Sequence, residues 1–236
     1  MNIQNSLRLN IQNNTFSLPK PKLRGKIHCA AFLLTCFGLL LFLLSSYLYQ
    51  FNLGILIYLI SQMLQFGVSS FYHIPDWNPK TKLFLRYLDH SCIFLLISGT
   101  QTSVLLNNIP KTEMSFALMA IKLSWGISLI GISRFLVFSR LYDIFDLICY
   151  ICHGLIILPF IKLMAHFDTF ELIFVCLGGI FYIVGGIVYG MERPNPVPEL
   201  IGYHEIFHIF TLLANTCFAI VITKDYVYSV IFEKIK

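Results

Sequence analysis

Between Lys26 and Asp76 the chain carries no formally charged side chain. A hydrocarbon layer about 30 Å thick is crossed by roughly 20 helical residues. This one stretch therefore holds two spans, turned near "YQFNLG" at 49–54. Of all residues, 57% are hydrophobic and 12% charged, too few polar groups to cover a water-soluble globule. Apolar runs at 27–48 and 52–73 are followed by others at 84–105, 115–134, 141–161, 170–190 and 203–223. In lipid, backbone N–H and C=O groups find no partner outside their own segment, so runs of this length read as helices. They lack the polar and apolar alternation of barrel strands. The expectation is an all-α polytopic membrane protein, a bundle of seven transmembrane helices over 21–224. A polar tail at 1–20 precedes it and a short tail at 225–236 follows. The first tail nearly repeats itself in "NIQNS" and "NIQNN", has little to bury, and is expected to be disordered. The first apolar run exceeds a signal-peptide core and is followed at once by another, so it is expected to be a retained span.

Charge sets the direction of these spans. With the N-terminus on the cytoplasmic side, eleven Lys and Arg fall on that side and six on the other. The positive-inside rule favours this arrangement, and "KPKLRGK" just before the first span contributes much of the excess. The net charge of +5 thus reports topology and anionic headgroups, and no basic, aromatic surface points to nucleic acid. The seven cysteines all lie in expected spans and read as small apolar residues without a disulfide framework. "CYICH" at 149–153 matches the haem c attachment pattern literally, but it lies inside an apolar span where attachment machinery has no access. Lys122 reads as a snorkelling side chain. Gly186 and Gly190 form a G-x-x-x-G pair suited to close helix packing.

"HEIFH" at 204–208 is literally H-E-x-x-H, the pattern by which a helix offers two zinc ligands and a general base. His204 and His208 share one helix face, about a turn apart. Catalytic zinc takes three protein ligands plus water, so a third must come from elsewhere. Downstream there are only Asp225 and Glu233, at the far end of the span or beyond it, which argues against a zincin-type protease. With alternating spans, the end of the second lies on the same side as the start of the seventh. That end reads "SSFYHIP", with Ser69 and His73 at i and i+4 and Pro75 closing the helix. His73 has the right depth for the third ligand. The third span opens on that side with "LRYLDHSCIF", placing Asp89 inside the membrane, where an ionisable group is costly without a partner. Asp89 is a functional candidate near the metal, or else a partner of His90 or Arg86. Ser69 is either a hydrogen-bond donor to the site or a back-bonded helix hydroxyl. Glu205 is either a base or an interfacial carboxylate favoured by its helix dipole. His28, His153 and His166 are expected to lie outside the site.

These elements carry a family resemblance. "PKLRGKIH", "SSFYH", "YLDHSCIFLLISGT" and "HEIFHIF", in that order over about 21–222, resemble the hemolysin III family, the bacterial-type branch of the progestin and adipoQ receptor proteins. "GGIFYIVGGIVYG" followed by P-x-P adds to the likeness. The resemblance implies seven helices, a cytoplasmic N-terminus, and zinc near the cytoplasmic face on His73, His204 and His208, with Ser69 and Asp89 close by. Receptor members of the family resemble alkaline ceramidases in site design and are linked to lipid amide hydrolysis; the bacterial branch takes its name from hemolysis. The expected function is therefore a zinc-dependent hydrolase of a lipid amide or ester, with Asp89 handling the water proton and Ser69 donating to the developing oxyanion. The alternative is a non-enzymatic membrane protein, either a zinc-stabilised receptor or a pore-forming factor.

Overall fold

The computed structural model describes residues 20–137 and 143–232. The polar tail, apart from Lys20, and Arg140 lie outside the described residues. Among the described residues seven α-helices follow one another: α1 (Lys26–Leu48), α2 (Leu53–His73), α3 (Pro79–Asn108), α4 (Met114–Val137), α5 (Asp143–Gly154), α6 (Thr169–Met191) and α7 (Tyr203–Phe232). Among the described residues the only β feature is an isolated bridge between Val197 and Ile201. Six segments are long and apolar enough to cross a membrane.

The helix ends follow from local chemistry. Asn52 caps α2 by accepting from the Ile55 N–H at 3.0 Å, and Asn78 caps α3 in the same way from Thr81, with Pro79 at the first helical position. Asp168 and Glu171 form a reciprocal capping box at the start of α6. α3 is longer than the apolar run at 84–105 because polar turns flank that run while keeping helical geometry. It is also the span that falls short on apolarity. Its polar residues face inward: Asp89, Ser98, Thr102 and Ser103 are all buried. α7 likewise continues past position 223, to Phe232.

The fifth span departs from the expected continuous helix. α5 stops at Gly154 and the chain continues as a 3₁₀ helix over Leu155–His166, with Phe160 outside helical dihedrals next to Pro159. Proline removes an N–H and crowds the preceding turn. The carbonyls freed at the switch are taken up by Gln101 of α3, whose Nε2 donates to the His153 and Gly154 oxygens at 3.1 Å each. Irregular backbone at membrane depth is tolerated where such partners exist.

Each helix packs on its neighbours in sequence, α7 also packs on α1, α2 and α3, and α3 touches α5 as well. The exterior is apolar: Leu34 is 70% and Ile130 72% exposed. Gly186 and Gly190 face α5, where an added Cβ would meet Leu147 at 2.9 and 2.8 Å, so their pair serves internal packing. A well-packed apolar core around Tyr58, Leu105, Leu163 and Val221 fills one end of the molecule. Most of the buried histidines and carboxylates, among them His28, His73, Asp89, Glu205 and His208, gather at the other.

Candidate metal centre

Three helix ends meet at that polar end. α2 runs out at His73, where Ile74 and Pro75 follow. α7 begins at Tyr203, which places His204 and His208 in its first two turns. α1 starts against them. Its N-cap, Gly25, has φ +77°, the left-handed region, and an added Cβ would stand 2.8 Å from the Cβ of His73. Only glycine meets both demands without strain.

His204 Nε2 and His73 Nε2 are 3.0 Å apart. One ligand nitrogen from each of His73, His204 and His208 lies within 4.8 Å of the other two. Two imidazole nitrogens at 3.0 Å need a proton or a cation to relieve facing lone pairs. Three converging imidazoles form a donor set suited to zinc, copper, nickel or iron, and this group can hold a metal ion. His73 and His208 are buried and His204 is half-buried.

Asp89 reaches the group from α3. Its Oδ2 is 3.7 Å from His73 Nε2, and its Oδ1 accepts from Gln65 Nε2 at 3.3 Å. Ser69, one turn before His73, is buried with its Oγ 2.8 Å from His28 Nδ1. His28 overturns its expected placement outside the site: it is 1% exposed and its ring stacks on that of His208. Sequence reasoning missed it because the contacts that bury it come from α2 and α7, far along the chain. Gln65 was also missed, although a signal was present. Gln65, Ser69 and His73 recur every four residues and so share one face of an otherwise apolar helix.

Glu205 stands in the first turn of α7, where its helix dipole favours a carboxylate. It is fully buried, its Oε1 paired with Arg24 Nε and its Oε2 accepting the Gly202 N–H at 2.8 Å. Both oxygens are thus engaged at the start of α7. Arg24 belongs to a segment that bridges the site. Lys22 and Leu23 donate their N–H groups to the carbonyls of Glu199 and Leu200, at 2.9 and 3.2 Å, and Lys20 Nζ donates to Ile74 O at 2.9 Å. His90 turns instead toward Asp146, 3.7 Å away, which pairs with Arg134. His153 stands apart from the three-histidine group, its Nε2 2.9 Å from Ser124 Oγ and 3.3 Å from Ser98 Oγ.

A cavity of about 1280 Å³ opens beneath the histidines. It runs from Arg24, His73 and Asp89 to Leu105, Met164 and Phe218. Its wall includes Leu158 of the 3₁₀ segment and Ile180 of α6, each 53% exposed. The cavity thus combines a polar head with an apolar length.

A family model described as "Haemolysin-III related" matches residues 16–219. Hemolysin-3 of Bacillus cereus is 32% identical over 157 residues, covering 66% of this chain and 67% of that protein. A Hemolysin-3 homolog of Bacillus subtilis (strain 168) is 33% identical over 156 residues, covering 65% and 68%. The ADIPOR-like receptor IZH2 of Saccharomyces cerevisiae is 28% identical over 163 residues, 63% of this chain and 51% of that one.

Proposed function

Since the chain belongs to the haemolysin-III related family and is an integral, multi-pass membrane protein, we propose that His73, His204 and His208 hold a zinc ion and that the protein hydrolyses an amide or ester bond of a membrane lipid. In this reading all seven helices cross the bilayer and the N-terminus is cytoplasmic. The excess of Lys and Arg on the N-terminal side supports that orientation. The observation that carries the reading is the convergence of imidazoles from α2 and α7 at the head of an apolar cavity.

Zinc on three imidazoles supplies a Lewis acid for a carbonyl oxygen and brings the pKa of water to about 7. The chain's own groups do the rest. Asp89 is held through Oδ1 by Gln65, which leaves Oδ2 on the side of the histidines to take a proton from water. Ser69 can donate its hydroxyl to the developing oxyanion when His28 Nδ1–H donates to its Oγ. That tautomer leaves His28 Nε2, buried without a hydrogen-bond partner, as a bare acceptor, which costs less than a stranded N–H. The apolar length of the cavity, lined by Leu105, Leu158, Met164, Ile180 and Phe218, has room for acyl chains.

The test is a panel of ceramides and acyl esters presented to purified, zinc-loaded protein and to the same protein stripped by a chelator. We expect turnover of at least one lipid that vanishes on stripping and returns with zinc. A zinc-loaded preparation inert toward the whole panel would overturn the hydrolase and favour a metal that braces a receptor-like protein.

A further inference from the structure

His28 and His90 are imidazoles of this end that the three-histidine group does not use, and of the two it is His28 that stacks on a member of that group. It sits in the first turn of α1, its ring centroid 3.6 Å from that of His208 with the planes 8° apart. A metal bound to imidazole lies in the ring plane along the nitrogen lone pair. Two rings stacked face to face aim their lone pairs in parallel planes, and these do not converge on one ion. His28 is accordingly no fourth ligand, and the group of convergent nitrogens comprises only His73, His204 and His208.

Among the described residues, no side chain or carbonyl braces the partner of that stack through its Nδ1. A metal-bound histidine is ordinarily oriented by a hydrogen bond from its other ring nitrogen to a carboxylate, carbonyl or water. Among the described residues, the buried Nδ1 of His208 has no hydrogen-bond partner. The nearest ring to His208 is the flat face of His28, at 3.6 Å against 4.6 Å for His204, and His28 is itself held by Ser69 at 2.8 Å and by the tilted ring of Phe66 at 5.1 Å.

We propose that His28 is a positioning residue for the metal centre: its ring face, rather than a hydrogen bond, sets the plane in which His208 offers its ligand nitrogen. The proposal rests on the three-histidine reading above. It separates the ring from its nitrogens, because a phenyl ring keeps the face and loses the polar atoms, while an asparagine keeps a polar group near Nδ1 and loses the face.

The experiment uses the full chain in detergent and reads two quantities: zinc affinity by chelator competition, and the visible absorption of the cobalt(II)-loaded protein, which reports ligand geometry. His28→Phe is expected to keep zinc affinity within about threefold of wild type and to leave the cobalt bands in place. His28→Asn and His28→Ala are expected to lose roughly 10- to 100-fold in affinity, the range for losing an outer-shell brace, with shifted bands. If His28→Ala does not fold, the Phe and Asn variants decide between them. Wild-type affinity and spectrum in His28→Asn would overturn the proposal, as would a loss in His28→Phe equal to that in His28→Asn. His73→Ala is the control for the underlying reading. Should it keep wild-type affinity, the three-histidine centre fails; should it lose metal while the His28 variants do not, only the present proposal fails.

Discussion

Two carboxylates stand near the histidines, and their partners assign them different work. Glu205 spends both oxygens on Arg24 and the Gly202 N–H, whereas Asp89 has one oxygen held by Gln65 and the other turned to His73. Glu205→Gln should destabilise the fold, by somewhat less than the roughly 3–5 kcal/mol of a fully buried pair since Arg24 is partly exposed, and so lower the thermal midpoint, and should leave metal content and turnover in place. Asp89→Asn should do the reverse, cutting turnover by about 10²- to 10⁴-fold with little loss of stability. Measuring midpoint and turnover side by side checks the assignment, and a Glu205→Gln enzyme that is stable but dead would reverse it. The literal H-E-x-x-H reading makes Glu205 the base, because sequence spacing says nothing of what lies opposite. Its partner Arg24 precedes it by 181 residues. His28 was hidden for the same reason. An imidazole at a helix start reads as interfacial until the helices packed on it are known.

Among the helices, those with plain signals were legible. The apolar runs locate the helices because lipid demands about 20 residues of them, while the N-caps at Asn52, Asn78 and Asp168 are seen only in the structure. The break in the fifth span was not legible, although Gly154 and Pro159 are visible in the sequence. Its apolar composition does not change across the break, and the compensation comes from Gln101 on another helix. The capping box of α6 carries a pH dependence. The Lys224 ammonium, then the Glu171 N–H, hold the Asp168 carboxyl below its ordinary value of 3.8. A carboxyl depressed by folding stabilises the folded state above the unfolded value, and that contribution is lost as pH falls through the lower folded one. Asp168→Asn should therefore lower the thermal midpoint at pH 6 and bring it closer to wild type as pH drops below about 4. A deficit that stays constant from pH 6 to pH 3 would contradict the role. Asp168 is more than half exposed, so the effect is small.

Taken whole, the molecule is apolar outside and polar within, with a packed core at one end and convergent histidines at the other. The proposed direction across the membrane predicts that a tag ahead of Lys20 is shielded from an impermeant reagent added to intact cells and that one after Lys236 is labelled; the opposite pattern would invert the topology. Composition and charge carried the membrane class and the seven apolar segments. The meeting of α2 with α7 was legible only through alternation, which puts the end of the second helix and the start of the seventh on one side. The most direct measurement is the metal content of the purified chain beside His73→Ala and His208→Ala. The account predicts about one zinc per chain in wild type and its loss in each variant. Stoichiometric zinc surviving both substitutions would contradict it.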